Sequence, residues 1–304
     1  MVSRARIAVV GLFIALLAGT GLSRAAPSAP PSGWQLEQVV AGGWLETTGP
    51  ASTGERLTLQ QPTAIALSDT ALLIVDRALG SVLGFDLSMG RFTRLDALAD
   101  CAVAARCMAA AAPAGGWVAA TGTGRVWSVD AFGVVRASLD LEAPVSALTI
   151  DAETGDVLVL DVRGGRILRL SMQGALVAER MTETRRLVDD AVAGAGRWWV
   201  RDGDGDAVVE IDAGSGRVIA RHVLPSAFAS FAPAPQGTLL FADADDGRLM
   251  FMTATGEAAA LRDGKSSPRR HAQVVAIGCT ASRCAIADGL RGRVELWRKL
   301  DALR

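Results

Sequence analysis

The chain has 304 residues, of which 50% are hydrophobic and 21% are charged, and its formal net charge is −1. This balance excludes a mostly disordered chain, and it provides no overall basic field that would attract nucleic acid or an anionic membrane. Tyr is absent, and so is Asn, which often serves as a turn residue and as a metal ligand.

The N-terminus has the pattern of an export signal. Two arginines within the first six residues precede an apolar run from Ile7 to Leu17, and Ser23-Arg24-Ala25 provides a small-x-small cleavage site. We therefore expect residues 1–25 to be a signal peptide, residues 26–32 to be a flexible lead-in, and the protein to be periplasmic or extracellular. An uncleaved membrane anchor is the alternative, but the run is shorter than a span of about 20 residues.

Residues 33–304 are predicted to form one domain that begins with an edge strand. Trp34 to Val40 largely alternates apolar and polar residues, as an edge strand does. Trp44 follows in a polar stretch rich in Gly, Pro and Thr that extends to Gln61. We expect Trp44 to lie in a loop there and to be an exposed contact for a partner.

Six copies of one pattern then run through the chain. Each copy has an apolar strand that ends in Asp or Thr, a turn, and a second apolar strand. The end-of-strand residues are Asp76, Thr121, Asp161, Asp202, Asp243 and Asp288. They are about 40–45 residues apart, a spacing typical of β-propeller blades, each a four-stranded meander with strands a to d from the axis outward. The sequence therefore predicts an all-β, six-bladed propeller.

The last copy lacks room for its outer strand, because few residues remain after Trp297. We expect the strand at Trp34 to Val40 to pair there and close the ring, which removes an exposed seam.

The four cysteines form two closely spaced pairs. Cys101 and Cys107 are one pair, and Cys279 and Cys284 are the other. In an exported protein this spacing favours two local disulfides. A metal site built from all four thiolates is the alternative, although neither pair has CxxC spacing.

The repeats resemble those of the NHL family of β-propellers. The match is carried by Pro62-Thr-Ala-Ile-Ala-Leu, Leu72-Leu-Ile-Val-Asp76 and Val82-Leu-Gly-Phe-Asp86, with Gly90 after them. The resemblance implies the propeller fold, and it leaves activity open because propellers host enzymes, receptors and scaffolds. Among enzymes of similar architecture, the gluconolactonase type holds a divalent cation with Glu, Asn and Asp, and the amidating-lyase type holds zinc in a His-rich site. This chain has no Asn and two His, His222 and His271.

Acidic turns are the weak candidates for a metal site. Asp202, Asp204 and Asp206 alternate with Gly as in a calcium loop, and Asp243 and Asp245 form a similar turn in the next blade. A weakly bound Ca²⁺ is one interpretation. The other is that the end-of-strand aspartates accept backbone N–H groups in their own turns.

The turns between strands b and c lie on the same face of a propeller as the d–a links between blades. This b–c/d–a face is predicted to carry arginines that contact a partner, namely Arg77, Arg163, Arg201, Arg269, Arg270 and Arg291. The sequence has no G-x-S-x-G motif and no other recognisable catalytic set in its full ring of blades, so we expect a non-catalytic scaffold that binds a protein partner through this face and binds no cofactor. We expect the chain to be a monomer. The alternatives are a metal-dependent lactonase- or lyase-like enzyme with an axial site, and a small-molecule sensor.

Overall fold

The computed structural model describes most of the predicted domain. The described residues are 34–46, 55–112, 115–151, 153–183, 187–194, 196–203, 205–253, 255–262 and 270–300. The predicted signal peptide, residues 1–25, and the lead-in, residues 26–32, lie outside them. Within the described residues, no helix has the length and apolar character needed to cross a membrane.

Six sheets form the six blades of a β-propeller, and all their strand pairs are antiparallel except the pair of β2 and β7 in blade 1. The strands of blades 1 to 3 are β4 (Pro62–Leu67), β5 (Ala71–Asp76), β6 (Ser81–Asp86) and β7 (Arg91–Arg94), then β8 (Cys107–Ala111), β9 (Trp117–Thr121), β10 (Arg125–Val129) and β11 (Val135–Asp140), then β12 (Ala147–Ile150), β13 (Val157–Asp161), β14 (Arg166–Leu170) and β15 (Leu176–Met181). Blade 1 also carries β2 (Gly42–Glu46) and β3 (Glu55–Thr58). A short helix, α1 (Ala99–Val103), follows a 3-10 turn at Asp96–Leu98.

Blades 4 to 6 complete the ring. Their strands are β16 (Leu187–Gly194), β17 (Arg197–Asp202), β18 (Ala207–Asp212) and β19 (Val218–Val223), then β20 (Phe228–Ala234), β21 (Thr238–Asp243), β22 (Leu249–Met252) and β23 (Ala258–Ala260), then β24 (Val274–Cys279), β25 (Arg283–Asp288) and β26 (Arg293–Lys299). A 3-10 turn at Pro235–Gly237 connects β20 to β21. The fourth strand of blade 6 is β1 (Trp34–Val40).

The predicted closure by the N-terminal strand is confirmed. β1 pairs antiparallel with β26 from Trp34 opposite Lys299 to Val40 opposite Val294. Trp34 stacks on Phe251 of blade 5 at 5.3 Å, whereas Val40 is buried between blades 6 and 1. The closing strand therefore joins blade 6 to both of its neighbours.

The hydrophobic core consists of layers between adjacent blades. Trp198 packs on the side of blade 4 that faces blade 3, and its neighbour Trp199 packs on the side that faces blade 5. This arrangement follows from the alternation of side chains along a strand. Trp117, Trp127 and Trp297 are also buried between blades.

Both predicted disulfides are present. Cys101 in α1 bonds Cys107 at the start of β8, so this bond ties the link into blade 2. Blade 2 is also the blade in which Thr121 replaces the end-of-strand aspartate. Cys279 and Cys284 face each other across the hairpin of β24 and β25, at the opposite face of the propeller.

Candidate functional site

The end-of-strand aspartate of blade 1 connects the incoming d–a link to the b–c turn. The carboxylate of Asp76 accepts backbone N–H bonds from Gln60 at 2.8 Å, from Gln61 at 3.0 Å and from Leu79 at 3.1 Å, and Asp76 is fully buried. Its oxygen lone pairs are therefore used to hold the backbone of this face in place.

The same use recurs in other blades. Asp288 accepts the N–H groups of Ala272, Gln273 and Arg291, at the same sequence offsets as in blade 1. Asp161 accepts the N–H of Gly164. These contacts explain why the aspartate repeats along the chain, and they support the structural interpretation of the position.

Asp243 adopts a variant of this arrangement. Burial opposes its ionisation, but hydrogen bonds from Ser226 Oγ at 2.8 Å and from the backbone N–H groups of Asp245 and Asp246 outweigh burial, so the pKa of Asp243 lies below its usual range. The Asp245 side chain is exposed. Asp243 and Asp245 therefore lie in the same turn, and the Asp243 carboxylate already accepts hydrogen bonds from the backbone of that turn.

The acidic loop of blade 4 faces an arginine. Arg221 Nε lies 2.6 Å from Asp202 Oδ2, and its Nη2 lies 3.4 Å from Asp206 Oδ1, whereas Asp204 lies outside the described residues. Within the part of the chain that the structure describes, no group of three or more His, Cys, Asp or Glu side chains is arranged to hold a metal ion.

Each histidine contacts a buried glutamate inside a blade. His271 Nε2 lies 3.1 Å from Glu295 Oε2, and both side chains are inaccessible to solvent. His222 Nε2 lies 2.9 Å from Glu210 Oε2, and its ring stacks on Trp199 at 5.2 Å. Burial lowers the pKa of His222, which favours the neutral imidazole.

Three of the predicted arginines lie on neighbouring turns and links of the b–c/d–a face. Arg291 Nη1 donates to the carbonyl oxygen of Arg270 at 3.2 Å. The b–c turn of blade 6 packs closely against the link into blade 1, so closely that a Cβ added to Gly292 would lie 2.6 Å from the Leu59 carbonyl oxygen. Arg77 is joined to the same link by a 3.0 Å bond from its N–H to the Gln61 carbonyl oxygen.

Two exposed aliphatic side chains complete this surface. Arg77 Nη2 donates to the Ala105 carbonyl oxygen at 2.7 Å, next to Val103, which is 74% exposed. Leu290 is 72% exposed and precedes Arg291 in its turn. We name Arg77, Val103, Arg270, Leu290 and Arg291 the arginine-apolar patch. Sequence reasoning missed Val103 and Leu290, although an aliphatic residue between Gly289 and Arg291 in a polar turn was an available signal.

The other predicted contact residues lie elsewhere. Arg201 points inward, with its Nε 2.7 Å from Asp190 and its guanidinium 3.9 Å above the Phe228 ring. Arg163 is exposed on the b–c turn of blade 3, and Arg269 lies outside the described residues.

The expectation that Trp44 lies in a loop is wrong. Trp44 is in β2, which pairs in parallel with β7 at the outer edge of blade 1, opposite Arg91 and away from the patch. Leu45 is buried in the core layer between blades 6 and 1, which stabilises β2 in this position. Trp44 itself is 59% exposed, so it remains accessible.

A channel of about 420 Å³ runs along the axis between the six innermost strands. Arg106 and Asp190 border it at the b–c/d–a face. Arg106 Nη2 donates to the Ser146 carbonyl oxygen at 2.7 Å, so its guanidinium spans blades 2 and 3. The channel mouth and the arginine-apolar patch therefore share one face of the molecule.

The likeness of this chain to known proteins is in its fold. No family model matches the chain, and no curated protein matches it. A solved streptogramin B lyase is similar, with a TM-score of 0.55 at 13% identity over 88% of this chain and 98% of that one. The likeness is one of fold. Six-bladed propellers of the streptogramin B lyase type are thus the structural neighbours, and the NHL assignment stays an expectation.

Two further neighbours have the same fold. Virginiamycin B lyase from Staphylococcus aureus has a TM-score of 0.52 at 14% identity, over 80% of this chain and 97% of that one. A catalytically inactive His-to-Ala variant of that enzyme with quinupristin gives 0.53 at 13% identity, over 87% of this chain and 99% of that one.

Proposed function

We propose that this protein is an exported, non-catalytic scaffold that binds a protein partner through the arginine-apolar patch. The observation that carries the proposal is that two exposed aliphatic side chains, Val103 and Leu290, each lie beside predicted arginines on the b–c/d–a face. Arginine beside apolar anchors is typical of the energetic centre of protein interfaces. The partner surface is therefore expected to be apolar at its centre and acidic around it.

The alternative is a metal-dependent lactonase- or lyase-like enzyme with an axial site. The scaffold is better supported, because the carboxylates of Asp76, Asp161 and Asp288 already accept backbone N–H groups. Both histidines contact buried glutamates inside the blades. These three aspartates and both histidines, all within the described residues, thus have contacts in the fold.

Export is part of the proposal. The apolar run and cleavage site within residues 1–25 support it, and the two disulfides fit an oxidising compartment. We propose a periplasmic or extracellular location and a monomeric chain.

Site-specific photo-crosslinking in the host of origin tests the patch. A photoreactive residue at Leu290 is expected to give one discrete protein adduct, and Arg77→Glu in the same chain is expected to abolish it. The matched control is Leu176 on the outer strand of blade 3, which is 58% exposed. An equal adduct from position 176, or none from position 290, would contradict the proposal.

Metal analysis of the purified mature protein tests the enzyme alternative. One divalent ion per chain, with a rise in melting temperature that Asp243→Ala abolishes, would replace the scaffold by the metal-site interpretation.

A further inference from the structure

Blade 1 is wider than the other blades in the described part of the chain, because the β2–β3 hairpin extends its sheet to six strands. One face of the hairpin is buried, since Leu45 and Leu57 pack with Phe92 in the core layer between blades 6 and 1. Side chains alternate along a strand, so the intervening residues lie on the opposite face. The residues of this second face that we name the tryptophan platform are Trp44, Glu46, Arg56, Arg91 and Thr93.

Trp44 is the centre of the platform. It lies directly opposite Arg56 on β3 and opposite Arg91 on β7, so the three residues form one row across the sheet. Gly42, two residues before Trp44 on the same face, adds no side chain, and Trp44 is 59% exposed. The indole is therefore accessible to a ligand that lies on the surface of the sheet.

The charged groups around the indole balance one another. Arg91 Nη1 lies 3.1 Å from Glu46 Oε1, and Asp86 lies opposite Arg91 on β6, where its carboxylate accepts hydrogen bonds from its own turn. Arg56 forms no ion pair with any described residue, and residues 47–54, which complete its hairpin, include no charged residue. Two guanidinium groups and two carboxylates thus give this face donors and acceptors without a net charge.

We propose that the tryptophan platform binds a neutral, β-1,4-linked polysaccharide. A pyranose ring has an apolar C–H face, which stacks on the face of an indole, and a rim of hydroxyl groups. Arg56 donates hydrogen bonds to these hydroxyls, and the Glu46 carboxylate, which has one oxygen outside its ion pair, accepts from them. A β-1,4-linked chain is straight, so it lies along an open sheet surface.

The surroundings of Trp44 favour a polysaccharide over a protein partner. A protein interface has several apolar side chains packed together at its centre, whereas every side chain of the platform other than Trp44 is polar. The balance of charge favours a neutral chain over an acidic one. Because the platform lies away from the arginine-apolar patch, this binding function does not depend on the proposed protein partner.

Titration calorimetry of the purified mature protein with defined hexasaccharides tests the platform. Cellohexaose and chitohexaose are the straight, neutral probes, maltohexaose is a curved neutral probe, and a β-1,4-linked hexaglucuronate is the straight acidic probe. At least one of the straight neutral probes is expected to bind at one site per chain with a Kd of about 1 mM or tighter. Maltohexaose and the hexaglucuronate are expected to bind at least about tenfold more weakly.

Variants locate the binding on the platform. Trp44→Ala is expected to weaken it by about tenfold or more, whereas Trp44→Tyr retains part of it because a phenol ring still stacks on a sugar. Arg56→Gln is expected to weaken it by about threefold. Phe132→Ala is the matched control, because Phe132 is an 85% exposed aromatic residue on blade 2 and lies outside the platform.

No binding of either straight neutral probe would overturn the proposal, as would equal or tighter binding of maltohexaose or of the hexaglucuronate. Unchanged affinity in Trp44→Ala, or an equal loss in Phe132→Ala, would also overturn it. If a photoreactive residue at position 44 captures a protein in the host of origin and neither straight neutral probe binds, the platform is a protein interface instead.

Discussion

Replacing Asp76 by Ala is expected to destabilise the protein strongly. The substitution removes one fully buried carboxylate that accepts N–H bonds from Gln60, Gln61 and Leu79. Hydrogen bonds to a charged group contribute about 1.5–3 kcal/mol each, and they are not additive when they share an acceptor. We therefore expect a loss of about 4 kcal/mol in the free energy of unfolding.

The matched comparison is Thr121→Ala, which changes the equivalent position of blade 2. Thr121 Oγ1 accepts the N–H of Arg125 at 3.2 Å, so its loss is expected to cost about 1 kcal/mol. At about 2–4 °C per kcal/mol, Asp76→Ala should lower the melting temperature by about 8–16 °C and Thr121→Ala by about 2–4 °C.

Differential scanning calorimetry of the two purified variants measures this difference. If the two variants melt within about 2 °C of each other, the aspartate does not connect the link to the turn as the hydrogen bonds indicate. A higher melting temperature for Asp76→Ala would refute the reasoning more directly. It would mean that like-charge repulsion at the face outweighs the backbone bonds, as in a carboxylate site evolved for a cation.

Two further predictions concern pH and a close backbone contact. The hydrogen bond from Arg283 lowers the pKa of Glu37. The stability that this pair adds, about 1 kcal/mol, is therefore present at neutral pH and is lost as pH falls below about 4.3. In urea unfolding, the free energy of Glu37→Gln should depend less on pH across that range than that of the unmodified protein, and parallel profiles would contradict the prediction. Gly247→Ala is expected to cost several times as much stability as Gly80→Ala. Both glycines have a positive φ, but a Cβ at position 247 would lie 2.2 Å from the His271 carbonyl oxygen, whereas a Cβ at position 80 would meet no atom within 4 Å. Equal melting temperatures for these two variants would show that the turn shifts freely.

The features that repeat along the chain were predictable from sequence. The end-of-strand aspartates recur because the same local hydrogen bonds recur, and Asp76 and Asp288 accept them in the same geometry. The closing strand was predictable because the last blade lacked a partner and Trp34 to Val40 alternates in polarity. The aspartate turns were predictable because the same local pattern repeats in several blades. The closing strand was predictable because the last blade visibly lacked one strand.

Features that depend on contacts between distant segments were not predictable where, unlike the closing strand, no missing strand in the repeat pattern pointed to them. β2 is stabilised by parallel pairing with β7, and a Gly-Gly-Trp-Leu-Glu segment has no local signal for that partner. The arginine-apolar patch forms because the last blade packs beside the first, which brings Leu290 to the same surface as Arg77. The spacing of residues along the chain does not show that Leu290 and Arg77 lie on the same face.

The closing strand also sets the order in which this molecule can fold. Glu37 and Arg283 form an ion pair although they are 246 residues apart in sequence. During synthesis, the first strand of the domain emerges long before its partner β26 exists, so its edge stays open until almost the whole chain has been made. Because the two ends of the ring pair with each other last, folding depends on a slow, non-local closing step. Deleting β1 or β26 should leave a chain with an exposed edge strand.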